Sequence, residues 1–202
     1  MFVKTPTIIQ RFFPSIIWKK ETSKKKIWLT FDDGPDEKIT IFLLNLLKKL
    51  QIRATFFLIG KQVVKYPELA RKIIEEGHTI GNHSYSHLNG LLTSNKIYYD
   101  DIDKAQKIVN SKIYRPPYGK ISPIQLRKLK AKYKIIMWDV LSWDFKENIS
   151  SEKIYHNVIN NTEKGSIIVF HNNIKSYNTI IKTLEKILVK LKEEGYIFSA
   201  TW

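Results

Sequence analysis

Short β-prone apolar runs alternate along the chain with longer segments whose apolar residues recur at helical spacing. The continuous apolar run at 166–170 is rich in β-branched residues, which indicates a strand buried on both faces. The predicted strands are residues 27–31, 54–59, 78–80, 134–138, 166–170 and 196–198. The predicted helices are residues 39–50, 68–76, 95–110, 123–130, 151–161 and 179–194.

This alternation of strands and helices predicts an α/β fold with a parallel sheet, either open or closed into a barrel. A length of 202 residues fits one domain. Residues 1–26 form an irregular lead-in that ends in three lysines, and we expect it to pack on or flank the domain. The domain itself is predicted to occupy residues 27–202.

Polar clusters follow the predicted strands at the points where those strands end. The clusters are Asp32 and Asp33, His83 to His87, Arg115 to Gly119, Asp144 and His171. Since the carboxyl ends of parallel strands share one face of a barrel, we expect these clusters to meet there. The sequence therefore predicts a single functional site at this face.

Asp33, His83 and His87 are candidate ligands for a metal ion. The two histidines are four residues apart, so on a helical turn both imidazoles would project from one face. The chain has no cysteine, which excludes thiolate ligands and a cysteine nucleophile. Three such ligands leave a position for water, as a hydrolytic centre requires, and Asp32 beside them is placed to accept the proton of that water.

Charge and hydropathy narrow the location and the partners. The formal net charge of +15 favours anionic surfaces, but no nucleic-acid recognition motif accompanies it, and we expect no specific nucleic acid. Without a long apolar run or a signal-peptide core, a cytoplasmic location is expected. Apolar residues amid Lys and Arg in the lead-in leave peripheral contact with an anionic membrane or glycan surface open.

Five segments, in order, resemble the signature motifs of the polysaccharide deacetylases, the NodB-homology family also called carbohydrate esterase family 4. Three of them are close matches and two are looser, and together they span about residues 27–198. The segments are Thr30-Phe31-Asp32-Asp33-Gly34-Pro35, His83-Ser84-Tyr85-Ser86-His87, Arg115-Pro116-Pro117-Tyr118-Gly119, residues 138–145 with Asp144, and Ile168-Val169-Phe170-His171.

The resemblance implies a distorted (β/α) barrel with fewer than eight strands. It also implies an enzyme that uses one divalent metal ion to hydrolyse N-acetyl groups on the amino sugars of a glycan. The ion is expected to be Zn²⁺, with Co²⁺, Ni²⁺ or Mn²⁺ as alternatives, and its ligands are expected to be Asp33, His83 and His87. The identity of the glycan and the oligomeric state are not readable from the sequence.

The resemblance also implies a role for each of the remaining motif residues. Asp32 would be the general base, held ionised by Arg115. His171 would protonate the departing amine, and Asp144 would orient His171 and raise its pKa. The backbone N–H of Tyr118 would stabilise the oxyanion of the tetrahedral intermediate.

Substrate contacts are expected from the third, fourth and fifth motifs. Trp143 and Val169 are predicted to form a small apolar pocket for the acetyl methyl group, and Pro117 and Tyr118 are predicted to contact the substrate. The chain departs from the family pattern where Phe145 replaces a tryptophan of the fourth motif.

Two other functions compete with a sugar deacetylase. The first is the same fold acting as a hydrolase of non-sugar amides, and the second is a glycan-binding protein that has lost turnover. The complete set of motif residues argues against lost turnover. A non-sugar substrate stays open.

Overall fold

The computed structural model describes residues 2–202; Met1, the first residue of the predicted lead-in, lies outside them. Strands and helices alternate along most of the chain. The strands are β1 (Ile16–Ile17), β2 (Lys26–Asp32), β3 (Thr55–Leu58), β4 (Thr79–Asn82), β5 (Ile113–Tyr114), β6 (Lys134–Ile136), β7 (Val140–Leu141), β8 (Ile167–His171) and β9 (Ile197–Phe198). The helices are α1 (Thr7–Phe12), α2 (Ile39–Lys49), α3 (Gly60–Lys65), α4 (Pro67–Glu75), α5 (Asn95–Val109), α6 (Pro123–Leu129), α7 (Ser151–Ile159) and α8 (Tyr177–Glu193).

The strands form one curved parallel sheet in the order β1-β6-β5-β4-β3-β2-β8-β7, with β9 paired to the start of β2. This architecture confirms the predicted distorted (β/α) barrel. Residues 2–202 contain nine strands, whereas the pattern predicted six and the family resemblance implied fewer than eight, because two-residue strands such as β1, β5 and β7 also pair into the sheet. Among the described residues, β1 and β7 stand at the two ends of the strand order.

Alternation along the strands divides the apolar residues between two cores. On β2, Ile27, Leu29 and Phe31 pack into a cluster with residues of α2, α4 and α8, which cover the outside of the sheet. Trp28 of the same strand belongs to a second cluster, shared with Val169 and residues of β5 and β6. Because successive side chains of a strand point to opposite faces, this second cluster fills the inside of the curved sheet.

The N-terminal segment follows the edge of the sheet. The amide of Leu141 donates to the Val3 carbonyl, and the amide of Thr5 donates to the carbonyl of Asp139, so residues 3–5 run beside β7. Ile16 is buried, whereas the apolar side chains of α1 are not: Ile8 and Phe12 are 63% and 75% exposed. No helix within residues 2–202 has the length and apolar character needed to cross a membrane.

Candidate active site

Asp32 and His171 end neighbouring strands at the carboxyl edge of the sheet. β2 and β8 are parallel and in register, with Thr30 opposite Val169 and Asp32 opposite His171. Since Trp28 and Val169 point to the inside of the sheet, the period of two along each strand directs Asp32 and His171 to the same side. The two predicted proton-transfer residues are therefore neighbours above the inner core.

Arg115 fills the inside of the sheet beneath Asp32. Its side chain has no exposed surface, and its Nη1 donates to Asp32 Oδ1 at 2.7 Å and to Thr30 Oγ1 at 2.8 Å. The remaining guanidinium donors reach the carbonyls of Ile136 and Met137. Burial lowers the pKa of Arg115, but the Asp32 carboxylate beside it opposes this effect. The predicted pairing of Asp32 with Arg115 is thus present as a buried ion pair in which every guanidinium nitrogen donates a hydrogen bond.

His171 is held by Asp144. Its Nδ1 lies 2.8 Å from Asp144 Oδ1, and its backbone N–H donates to Asp144 Oδ2 at 2.7 Å. Asp144 is buried, and Ser142 Oγ donates to it as well. Burial of His171 favours the neutral ring, but the carboxylates of Asp144, Asp33 and Asp32, of which Asp144 contributes most, together raise the pKa of His171 to about 9. The imidazole is therefore protonated near neutral pH in this structure.

Asp33, His83 and His87 converge as the sequence predicted. The Nε2 atoms of His83 and His87 lie 3.5 Å and 3.1 Å from Asp33 Oδ1. One ligand atom from each residue can be chosen so that all three lie within 4.8 Å of one another. Ligand atoms of a tetrahedral zinc site, with bonds of about 2.0–2.1 Å, are about 3.3 Å apart. The two separations from Asp33 Oδ1 fit a three-ligand site of this kind.

Asp33 itself supports this fit. Its Oδ1 is buried and has no hydrogen-bond donor among the described residues, whereas its Oδ2 accepts the side-chain N–H of Asn173 at 2.6 Å. Burial would raise the pKa of the Asp33 carboxyl, but the two histidines hold the pKa well below its usual range. An ionised, unsatisfied oxygen that faces two imidazoles is a donor set suited to a divalent cation.

The segment that carries both histidines is a loop, so the predicted helical turn is wrong. Ser84 and His87 have φ values of 64° and 59°, in the left-handed region. Side chains stabilise this path: Asn82 Oδ1 accepts the N–H of Ser84, and Ser84 Oγ accepts the N–H of His87. Asp101 on α5 accepts the N–H groups of both Tyr85 and Ser86. The loop still brings the imidazole centroids within 5.0 Å of each other.

Tyr118 flanks the histidines on the third motif. Its ring packs edge-on against His87 at 4.5 Å between centroids, and its side chain is 53% exposed. Tyr118 has a φ of 59°, and no backbone acceptor for its N–H occurs within residues 2–202, whereas the neighbouring Gly119 and Lys120 amides bind carbonyls. Pro117 is buried, so a direct contact between Pro117 and a substrate stays a prediction.

Phe145, rather than Trp143, lies against His171. The ring centroids of Phe145 and His171 are 4.7 Å apart. Trp143 does not contact His171 in this way but stacks on Phe145, with 5.6 Å between the ring centroids. Trp143 packs against the inner core that contains Val169, but Val169 has no exposed surface. The acetyl pocket predicted from Trp143 and Val169 stays a prediction. Phe145 was missed as a neighbour of the acid, although its place in the fourth motif was the signal for it.

Asn173 and Asp101 were also missed as residues of the site. Asn173 lies in the loop after β8 and donates to Asp33, and Asp101 lies on α5, the helix that follows the loop whose amides it binds. Neither position carries a pattern in the sequence, because both contacts depend on tertiary packing. Asn172, the neighbour of Asn173, is buried, and its side-chain oxygen accepts a hydrogen bond from Thr40.

We expect Asn173→Ala to weaken zinc binding about 10–100-fold, because second-shell partners that orient ligands contribute to affinity on this scale. The amide directs Asp33 Oδ2 away from the histidines and leaves Oδ1 for the ion. Competition with a chromophoric chelator measures the affinity, with Asn45→Ala on the exposed face of α2 as the matched control. Equal zinc affinity in the two variants would show that Asn173 does not position Asp33.

Comparison with known proteins decides the family. The family model for polysaccharide deacetylase matches residues 19–135, more than half of the chain. The chain belongs to the polysaccharide deacetylase family. This assignment agrees with the motifs that the sequence analysis identified.

Several of its similar relatives are named as peptidoglycan deacetylases. Two peptidoglycan-N-acetylglucosamine deacetylases of Bacillus cereus are 37% and 33% identical over 87% and 91% of this chain. A peptidoglycan-N-acetylmuramic acid deacetylase of Bacillus subtilis is 35% identical over 88% of this chain. The aligned regions cover 66%, 89% and 39% of these three relatives' own lengths.

Solved structures with a similar fold belong to the same family, and one of them is described as a pseudoenzyme. A peptidoglycan N-acetylglucosamine deacetylase bound to a naphthyl N-hydroxybenzamide superposes with a TM-score of 0.89, 33% identity, and coverage of 96% of this chain and 94% of that one. A Bacillus anthracis family member described as a pseudoenzyme superposes with a TM-score of 0.81 at 26% identity, covering 92% of this chain and 66% of its own. Membership of the family therefore does not by itself establish turnover.

Proposed function

We propose that this family member is a metal-dependent hydrolase that removes N-acetyl groups from the amino sugars of a peptidoglycan-type glycan, with release of acetate and a free amine. One observation carries the proposal. The Asp32–Arg115 and His171–Asp144 pairs end neighbouring strands, beside the cluster of Asp33, His83 and His87. A carboxylate base and a protonated acid thus flank a three-ligand metal site.

Asp33, His83 and His87 would hold the ion, for which Zn²⁺ is our first choice and Co²⁺, Ni²⁺ and Mn²⁺ are alternatives. When bound, a divalent metal supplies a water nucleophile that ionises near neutral pH and a Lewis acid for the acetyl carbonyl. Asp32 would accept the proton of the attacking water. The buried guanidinium of Arg115 donates to Asp32 Oδ1 and orients the carboxylate for this task.

His171 supplies the proton that the amide nitrogen needs to depart. When the carbon–nitrogen bond of the tetrahedral intermediate breaks, the Nε2 proton of His171 moves to the nitrogen, and an amine leaves rather than an amide anion. Asp144 holds Nδ1 and so directs Nε2 toward the substrate. The N–H of Tyr118 is available to donate to the developing oxyanion, because no backbone carbonyl in the described chain occupies it.

The choice of a peptidoglycan-type substrate rests on the relatives, whose names specify N-acetylglucosamine or N-acetylmuramic acid residues of peptidoglycan. The net charge of +15 suits an anionic glycan or an anionic membrane surface. Exposed Ile8 and Phe12 on α1 would serve a peripheral membrane contact. Two expectations stay predictions: a cytoplasmic location and the absence of a specific nucleic-acid partner. The oligomeric state stays open.

Acetate release from a panel of substrates tests the proposed function. We expect the zinc-loaded protein to release acetate from peptidoglycan fragments or N-acetylglucosamine oligomers at rates well above those from simple acetamides. Release from non-sugar amides alone would overturn the substrate class while leaving the chemistry in place. Zinc binding and glycan binding without release from any substrate would instead favour the binding-protein alternative.

A further inference from the structure

A cavity borders the loop that follows β7 and carries Trp143. It has a volume of about 550 Å³, within the usual range for small-molecule sites. Its lining includes Val3, Trp143, Lys146, Glu147, Lys153 and Asn157. None of these residues has a role in the proposed chemistry. Only Trp143 was also predicted to contact the substrate, as part of the acetyl pocket.

The cavity is connected to the site through stacked aromatic rings. Trp143 lines the cavity and stacks on Phe145 at 5.6 Å between centroids with an interplanar angle of 19°, and Phe145 packs against His171. The ring of Phe145 therefore lies between Trp143 and the predicted acid. That separation suits a neighbouring unit of the same glycan rather than the N-acetyl group itself.

The wall of the cavity is a fixed structure. Trp143 has a φ of 68°, an uncommon conformation for a bulky residue, and the surrounding contacts hold it in place. The amide of Lys146 donates to the Trp143 carbonyl, and the buried Asn157 of α7 donates to the carbonyl of Ser142. Because Ser142 also bonds Asp144, the cavity wall and the orientation of His171 depend on one loop.

Charge defines the ligand class. The ionisable lining consists of two lysines against one glutamate, and Lys146 Nζ lies over the Trp143 ring at 5.7 Å. An indole face favours the apolar face of a sugar ring, and ammonium groups beside it favour a carboxylate on that sugar. A neutral sugar would leave both ammonium groups without a counter-charge from the ligand.

We propose that this cavity is a subsite for a carboxylate-bearing sugar adjacent to the N-acetylated sugar that is hydrolysed. The inference rests on the proposed function for the location of the hydrolysed unit. The ring of the acidic sugar packs on Trp143, and its carboxylate binds Lys146 and Lys153. The chain therefore prefers a glycan that carries acidic sugars to a neutral polymer of N-acetylglucosamine.

Three glycans of equal length test the subsite: a neutral N-acetylglucosamine oligomer, a peptide-free oligomer that alternates with N-acetylmuramic acid, and the same oligomer with its carboxylates converted to amides. We expect kcat/KM for the acidic oligomer to exceed that for its amide form by about tenfold, which is the scale of two solvent-exposed charge pairs. In Lys146→Gln/Lys153→Gln this ratio should fall close to one. The change should appear mainly in KM.

Lys107→Gln/Lys130→Gln is the matched control. Both lysines are exposed near the carboxyl ends of α5 and α6, at the opposite end of the sheet from the site, and this variant should keep the tenfold preference. Equal kcat/KM values for the acidic and amide oligomers in the unmodified protein would overturn the subsite. Retention of the preference in Lys146→Gln/Lys153→Gln would overturn it as well.

A binding measurement separates this proposal from the proposed function. If the zinc-loaded protein hydrolyses none of the three glycans, the proposed function fails, and calorimetric titration with the same glycans tests the subsite alone. Tighter binding of the acidic oligomer that is lost in Lys146→Gln/Lys153→Gln would support the subsite. Equal binding of the acidic and amide forms would contradict it.

Discussion

Asp32→Asn is expected to lower the turnover of an N-acetyl glycan by about 10²–10⁴-fold, the contribution typical of a positioned general base. The amide is nearly the same size as the carboxylate but cannot accept a proton from water. Zinc affinity should persist, because Asp33, His83 and His87 are unchanged. Acetate release and a chelator competition on the same preparation measure the two quantities.

Stability requires its own control in this variant. Arg115 is fully buried, and removing one partner of a buried ion pair typically costs about 3–5 kcal/mol. The amide oxygen of Asn can still accept the Arg115 hydrogen bond, so the loss should be smaller than in Asp32→Ala. Thermal unfolding of both variants checks that Asp32→Asn loses less stability than Asp32→Ala. Asp103→Asn on α5 is the surface control. Near-normal turnover in folded Asp32→Asn would show that Asp32 is not the base.

His171→Ala is expected to lower amide turnover by about 10²–10⁴-fold, again without loss of zinc. An amine is a poor leaving group unless it receives a proton, whereas the phenolate of nitrophenyl acetate leaves without one. The variant should therefore retain much more of its activity on the ester than on the amide. Equal losses on the two substrates would contradict the assignment of His171 as the acid.

The pH dependence provides a second test of the same assignment. The pKa of His171 is raised to about 9 against burial, chiefly by the Asp144 carboxylate, so the ring carries its proton at neutral pH and loses it as the pH rises through 9. Amide turnover should decline above that pH. In Asp144→Asn the decline should begin at lower pH, because the charge that raises the pKa is gone. An unchanged alkaline limb in Asp144→Asn would contradict this cause.

The sequence predicted most of the fold because its long elements carry clear periodicity. Strands such as β2 and β8, and helices such as α5 and α8, lie within a few residues of the predicted bounds. β1, β5 and β7 were missed because two residues are too few to show a period. α3 was missed because its first residue, Gly60, read as the end of the preceding strand.

The candidate site was predictable where chemistry is concentrated in short motifs. Asp32 and His171 both end predicted strands, which was enough to expect them at one edge of the sheet. The parallel register of β2 and β8 then places them side by side. The path of the loop from His83 to His87 was not predictable, since it depends on hydrogen bonds that the loop amides donate to Asp101 on α5. Asn173 and the charged cavity beside Trp143 depend on packing in the same way.

Zinc-dependent acetate release tests the central claim most directly. The protein is stripped with a chelator, divided, and assayed on peptidoglycan fragments with and without restored Zn²⁺, and His87→Ala is carried through the same steps. We predict negligible release from the stripped protein, recovery on addition of Zn²⁺, and no recovery in His87→Ala. Equal release before and after stripping, with the loss of metal verified by elemental analysis, would contradict a metal-dependent hydrolase built on Asp33, His83 and His87.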